Sequence, residues 1–470
     1  MPSRDIQFLN HSAVKLNFTG KLITSYGGFA LLAKLFEKLD LKTAIEKMIP
    51  FEETSPNGTG FYSKVLRFGL TVIAGGERYA HSAFLGDSPE VYEKMFNVER
   101  MPVSATALTR FFARFCSWQT VERFSDALWQ YCFDFIIPCA EIKEDFLTFD
   151  SSVITRYGKQ EGSKRGYNPK QKGRPSHHPI IAFLNRSKYV VNFWNRSGNT
   201  ASSNGVVEFM KQTLHRIDGK IKIIGSLADS GFYNIFFVRF LEEKKIEYVI
   251  AARFLGVLQS QVFAIEDWRK VSDDIDVGEF VFCHDDEKWD HPRRYVAVRQ
   301  RVNDIENPPQ GRQLSLFPEY DKKQTEFRYG MYITSSTKPP EDVWRTYRLR
   351  AGDEGIIKEN KQDFGLEGFC SENFHSTEAA MLVRILFYNI MNRFRISCLP
   401  DDESRQTLHT LRAKYFIIPA MLGRNGKHCV LRLGLSTKKS KAKIIWIINR
   451  IEDVFLNALH LKTIAEGAAI

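Results

Sequence analysis

No two of the seven cysteines in this 470-residue chain form a CxxC pair. Cys116, Cys132, Cys139, Cys283, Cys370, Cys398 and Cys429 are scattered and odd in number. That pattern speaks against a zinc ribbon or a disulfide framework and suits a reducing compartment. Long apolar runs are missing too. A membrane helix needs roughly 18 uncharged apolar residues, and the best stretch, Ala379–Met391, is interrupted by Arg384. The N-terminal MPSRDIQFLN lacks the apolar core of a signal peptide. A P-loop, a strand-borne GxGxxG, HExxH and GxSxG are all absent, so the chemistries those motifs carry have no support. Acidic residues are the scarcer sign, 55 against 66 Lys and Arg, and the formal charge is +11. Either the surface is merely basic or the partner is a polyanion, with nucleic acid the leading candidate.

What is present reads as globular. Hydrophobic residues make up 43% and charged residues 26%, in a length that suggests two to four units. Residues 1–140 are expected to be mainly helical, from apolar residues at helical spacing in Phe29–Ile49 and Gly60–Ala74. Val91–Phe96 and Ala105–Phe115, the second capped by Ser104, form either an ordinary helical hairpin or a helix-turn-helix offering Arg110 and Arg114 to DNA. From Phe146 the character changes. Phe146–Val153, His178–Asn185 and Tyr189–Trp194 read as an antiparallel meander. A helix at Asn204–Ile217, a strand at Ile221–Ala228, a helix at Phe232–Lys244 and a strand at Glu247–Ala252 follow. The later strands need crossover helices, so the sheet is expected to be mixed.

Strand-like Phe280–Cys283, Tyr295–Val302 and Phe327–Ile333, with polar loops such as Asn307–Pro309, suggest a β-rich insertion before helices at Glu341–Lys361 and Thr377–Ile396. Between Glu403 and Glu452 there are eleven cations and no acid, which matches the net charge of the whole chain. That segment is either a phosphate-binding surface or a solvated basic face. Five regions are expected: 1–140 a helical DNA-binding region, 141–253 the first part of an α/β core, 254–340 the β-rich insertion, 341–398 the second part of the core with the helix that carries Glu354, and 399–470 helical and basic.

Two segments share a pattern. Phe146–Asp150 and Ile221–Asp229 are apolar runs ending in Asp and followed by Ser. Open α/β sheets place ligands and catalytic groups at the carboxyl ends of buried strands. On neighbouring strands Asp150 and Asp229 would lie side by side and raise each other's pKa, a repulsion that a divalent cation relieves. Hard oxygen ligands favour Mg²⁺ or Mn²⁺. Taken singly, either Asp reads as a strand-end turn or a helix cap. Arg350, Glu354 and Lys361 lie 3, 7 and 14 residues beyond Tyr347, within roughly 60° of one another on a continuous helix. A surface helix can show such a stripe by accident.

Asp150, Asp229 and the run Tyr347-x2-Arg350-x3-Glu354-x6-Lys361 resemble the DDE transposases of bacterial insertion sequences that carry this Tyr-Arg-Glu-Lys motif. QEGSKRGYNPKQKGRP (Gln160–Pro175), RSGNT (Arg196–Thr200) and LADSGF (Leu227–Phe232) resemble one subgroup, the insertion-sequence group numbered thirteen-eighty. The resemblance covers about Asp145–Phe394. It implies a ribonuclease-H-like mixed-sheet core in which Asp150, Asp229 and Glu354 are catalytic and hold two Mg²⁺ (or Mn²⁺) ions. The implied reaction is strand cleavage at transposon ends followed by transfer of the 3′-OH into target DNA. The implied partners are double-stranded DNA and, on DNA, a second copy of the chain. The expected location is the cytoplasm, at the nucleoid. Asp229 and Glu354 lie 125 residues apart, a surplus over one helix, one strand and a linker that an insertion explains.

The same resemblance gives Arg350 and Lys361 contacts to phosphates near the cut, and Tyr347 a place on a sugar or phosphate. Asp353, Glu359 and Asp363 are rival carboxylates. The loop Arg156–Arg174 carries Arg156, Lys159, Lys164, Arg165, Lys170, Lys172 and Arg174 against one acid, Glu161. It is either a DNA contact beside the first strand or a solvated loop. Trp268 and Trp289 are core residues or platforms for a displaced base. Cys283, His284 and His291 fit no ordinary zinc spacing. Two other classes stay open: a transposon-derived DNA-binding protein that does not cut, and a nuclease with a similar core but no strand transfer.

Overall fold

The computed structural model describes residues 18–53, 58–86, 88–169, 171–254, 256–301 and 326–467, with side chains to 454. Lys170, the Asn307–Pro309 loop and the MPSRDIQFLN segment lie outside the described residues. The chain forms two compact units, Met1–Phe111 with Phe394–Ile470, and Phe112–Arg393.

The Phe112–Arg393 unit is built on one nine-stranded sheet. Along the chain its strands are β1 (Glu144–Ser151), β2 (Ile180–Leu184), β3 (Val190–Trp194), β4 (Lys222–Ala228), β5 (Tyr248–Ala251), β6 (Arg269–Ser272), β7 (Ile275–Phe282), β8 (Arg293–Arg301) and β9 (Phe327–Thr334). The order across the sheet is β6-β7-β8-β9-β5-β4-β1-β2-β3. β1 and β4 are parallel, as are β4 and β5, and every other pair is antiparallel. The sheet is thus mixed, as expected, with β1-β2-β3 as the meander. Parallel neighbours need a crossover, and two helices supply it: α1 (Val206–Ile217) before β4 and α2 (Ile235–Glu243) after it. α1 buries Val206, Phe209, Met210, Thr213 and Ile217 at three- and four-residue spacing. Asn234 caps α2, accepting from the Phe236 and Phe237 N–H groups at 2.9 and 3.4 Å.

Strand alternation decides which way the site faces. Phe149 packs against Phe209 of α1 and Phe237 of α2, with ring centroids 6.0 and 5.7 Å away. Phe146 points to the other face, into a cluster with Val249, Val296, Tyr332 and Val343. Asp150, four residues beyond Phe146, shares that second face.

The β-rich segment joins the core sheet: β9 pairs with β5, and β6–β9 extend the same sheet. Alone, β5 would present an unpaired edge, and the added strands cover it. The helix expected at Glu341–Lys361 is broken into α3 (Pro340–Arg348), a 3-10 turn Leu349–Gly352, and α4 (Asp353–Gln362). Glycine is a poor helix-interior residue, and a Cβ at Gly352 would stand 3.0 Å from Lys188 Nζ. The chain tightens there, and Asp353 reaches the β2–β3 turn.

The long helix α5 (Phe374–Cys398) is buried throughout Ala379–Met391. Its Arg384 is fully buried, donating to Ala380 O at 3.0 Å and to the Gly365 and Gly368 carbonyls. Asn389 stands in for a missing strand beside β3. Its Oδ1 accepts from the Val190 N–H at 3.0 Å and its Nδ2 donates to Val190 O at 2.8 Å. No helix among the described residues is long and apolar enough to cross a membrane.

In the other unit, Leu22–Thr24 pairs with Ala420–Asn425, which pairs with His428–Leu433. The C-terminal region expected to be helical therefore contains a hairpin. Its turn follows Asn425-Gly426, with Gly426 at φ +61, a conformation that suits a two-residue hairpin loop. Several of the basic residues there are used internally. Glu403 takes Lys414, Lys443 and the Tyr415 hydroxyl; Arg412 donates to Ile73 O and Arg450 to Ser397 O.

Candidate active site

In the parallel pair β1–β4, Phe149 is registered against Ala228, so Asp150 and Asp229 follow side by side at the carboxyl ends of adjacent strands. Asp150 Oδ1 accepts from the Ser151 N–H at 2.7 Å. Asp229 caps the 3-10 turn Ser230–Phe232, its Oδ1 accepting from the Gly231 N–H at 2.9 Å. Each carboxylate thus spends one oxygen on the local backbone and turns the other to its surroundings. Burial pushes the Asp150 carboxyl up to about 6. Arg350 opposes that rise, while Asp229 and Glu354 add to it.

The broken helix brings the next groups to this sheet edge. The Arg350 guanidinium stands 4.0 Å from Asp150 Oδ2 and 3.5 Å from Asp353 Oδ2, and donates to the Tyr347 hydroxyl at 3.1 Å. Tyr347 lies against Tyr332, ring centroids 4.2 Å apart. Asp353 is 1% exposed; its Oδ1 accepts from Asn185 Nδ2 at 3.0 Å and is 3.4 Å from Lys188 Nζ. Burial pushes its carboxyl up to about 7 against the pull of Lys188 and Arg350. Glu354, the next residue, is exposed. Of the two adjacent acids, Asp353 pins α4 to the β2–β3 turn and Glu354 faces outward. Lys361 Nζ donates to Val153 O and pairs with Glu367, both at 2.9 Å.

Asp150, Asp229 and Glu354 share one electrostatic neighbourhood. Yet among the described residues no three His, Cys, Asp or Glu side chains stand close enough to hold a metal ion. The expected three-carboxylate ligand set is therefore not assembled. Like charges repel, and it is Arg350 rather than Glu354 that stands against Asp150. The donor chemistry still fits a hard divalent cation: oxygen ligands only, one of them desolvated.

Sequence reasoning missed several neighbours. His178 lies in the field of Asp229 and Lys361; burial chiefly holds its pKa down, and its Nδ1 is 2.6 Å from Thr200 O. Arg196, in the RSGNT segment, donates to the carbonyls of His178, Ala201, Ser202 and Asn204, clamping the loop beside Asp229. The Ser202 hydroxyl meets that of Ser151 at 2.7 Å. Nothing in the residue types alone marked these; their partners are fixed by the fold.

The basic segment after β1 is not a plain loop. Ile154–Thr155, Lys164–Arg165 and Pro175–His177 form a small sheet. Gly166 and Gly198 let its strands meet the RSGNT backbone: a Cβ on Gly166 would come 2.0 Å from Gly198 O, and one on Gly198 2.0 Å from Ser176 O. Lys159, Lys164, Arg165, Lys172 and Arg174 are exposed, as is Arg110; Arg114 is half-buried. Arg156 is a correction. It is 2% exposed and donates to His177 Nδ1 and to Glu367 O, so it braces the fold and presents no surface to DNA. Trp268 lies under the Arg299 guanidinium at 4.4 Å, and Trp289 packs on His284 with centroids 4.3 Å apart.

A cryo-EM structure of a piggyBac transposase synaptic complex with hairpin DNA is similar at a TM-score of 0.43 and 12% identity, covering 91% of this chain and 81% of that one. No curated protein matches the chain in sequence. The family described as Transposase DDE domain group 1 matches residues 6–454, nearly the full length, and the chain belongs to that family.

Proposed function

We propose that this transposase cleaves DNA strands at transposon ends and joins the freed 3′-OH to target DNA, with Asp150, Asp229 and Glu354 as the residues that hold divalent metal. The observation that carries the reading is the pairing of Asp150 with Asp229 at the ends of adjacent parallel strands, with Glu354 adding to the field on Asp150. Two Mg²⁺ or Mn²⁺ ions held there would supply a nucleophilic oxygen and steady the leaving one. The chain's own residues do the rest. Arg350 and Lys361 bind phosphates beside the cut, the first as a planar fork and the second as a point charge. Tyr347, held on Tyr332, positions Arg350. Asp353, Asn185 and Lys188 fix the turn that carries Glu354. Exposed Lys159, Lys164, Arg165, Lys172 and Arg174 extend the phosphate contacts.

Origin from a bacterial insertion sequence of the group numbered thirteen-eighty, a ribonuclease-H-like class for the core, action as a homodimer on DNA and a cytoplasmic location belong to the same proposal. The test is a nicking and joining assay with full-length protein, Mg²⁺ or Mn²⁺, and a duplex carrying the terminal inverted repeat that flanks the reading frame. Asp150→Ala, Asp229→Ala and Glu354→Ala are expected to lose nicking while retaining duplex binding. Nicking by any of the three at the wild-type rate would refute the assignment.

A further inference from the structure

The end of the sheet opposite Asp150 and Asp229 carries a second basic site. Where β1 and β4 begin and α1 and α2 end, a cleft of about 840 Å³ opens. Lys143, Lys211, His215, Lys220, Lys222 and Lys244 line it, and the one acid in its lining is Asp218. Glu144, registered beside Lys222, stands next to it. Lys220 donates to Arg216 O at 3.1 Å and covers the Phe133 ring at 4.9 Å; Lys211 lies 5.8 Å from the Phe240 ring.

Helix C-termini attract cations, which accounts for Lys220 and Lys244. It does not account for Lys143 and Lys222 at the strand starts, or for Lys211 in the middle of α1. Lys143 is moreover held at φ +46, where glycine would sit without strain. Five ammonium groups converging on one concavity match a run of phosphates.

Seven residues of strand separate Lys143 from Asp150 and Lys222 from Asp229, roughly 23 Å. A phosphate held in the cleft is therefore not the one being cut. We propose that the cleft binds the phosphodiester backbone of a DNA segment other than the one at the carboxylates, an inference that rests on reading the chain as a strand-joining transposase.

The test replaces Lys211, Lys220, Lys222 and Lys244 together by Ala, and together by Arg, in the full chain. Binding of a short duplex of arbitrary sequence is titrated with KCl; the log–log slope is expected to fall by about 3 to 4 with Ala and to recover with Arg. Joining of a pre-nicked repeat duplex to a second duplex is expected to drop about tenfold or more with Ala and to recover with Arg, while nicking of the repeat duplex alone stays within about twofold of wild type. An unchanged slope and unchanged joining overturn the proposal. So does a loss that Arg fails to rescue, because phosphate contacts need only the charge. Loss of nicking along with joining overturns it too, because the cleft would then serve the DNA being cut. Wild-type protein that neither nicks nor joins defeats the transposase reading instead, and the salt slope still decides the cleft.

Discussion

Glu378 and Arg156 are two buried charges whose behaviour follows from their surroundings. Glu378 accepts from the Asn195 N–H at 3.0 Å, and burial pushes its carboxyl from 4.5 up to about 7. The folded state thus keeps a proton that the unfolded chain releases at lower pH. The stability this gives is complete below about 4.5 and is lost as pH rises through about 7, on the order of 3 kcal/mol over that window. Glu378→Gln keeps the acceptor and removes the titration. Its urea midpoint is expected to vary less than that of wild type between pH 5 and 8; parallel curves would contradict this. Arg156→Ala is expected to cost about 3 kcal/mol of stability. Arg165→Ala, at an exposed site, is expected to leave the melting temperature alone and to reduce the salt slope of DNA binding by about 1. Calorimetry and a salt titration on both variants separate the two roles. Asp150 and Asp229 were legible because an apolar run that stops at an acid is a strand-end signal. Arg156 was not distinguishable from its basic neighbours, since its burial depends on a carbonyl 211 residues away.

At the scale of elements, β3 and α4 show what periodicity reads and what it misses. The meander β1-β2-β3, the helices α1 and α2 and the parallel strands were readable from alternation and helical spacing. The polar residues of α5 were not, because they serve a strand about 200 positions away. Asn389 satisfies both backbone groups of Val190. Asn389→Leu leaves those groups buried without partners and is expected to cost about 2–4 kcal/mol, read from denaturant unfolding. An unchanged midpoint would mean β3 finds another partner. The stripe Tyr347, Arg350, Glu354 and Lys361 was inferred from one helical period, yet the segment changes pitch at Leu349–Gly352. Tyr347 and Arg350 still meet at the Asp150 end of the sheet, and Asn185 and Lys188 draw Asp353 inward, while Glu354 stays exposed. The pairing of β9 with β5 had no local signal either, since strand partners far apart in sequence are chosen by edges and not by composition.

For the whole molecule, net charge gave the class of partner but not the surface. The eleven cations of Arg405–Arg450 equal the net charge of +11, yet Arg412, Lys414, Lys443 and Arg450 bond within their own unit. The Phe112–Arg393 unit holds both the strand-end carboxylates and, at the other end of the same strands, the lysine cleft. The central claim is that Asp150, Asp229 and Glu354 take up a common metal. Anomalous diffraction from crystals grown with Mn²⁺ tests it most directly. The expected result is density ligated by oxygens of Asp150 and Asp229, with Glu354 swung in from solvent to join them. Manganese bound elsewhere, or held with Asp353 in place of Glu354, would contradict it.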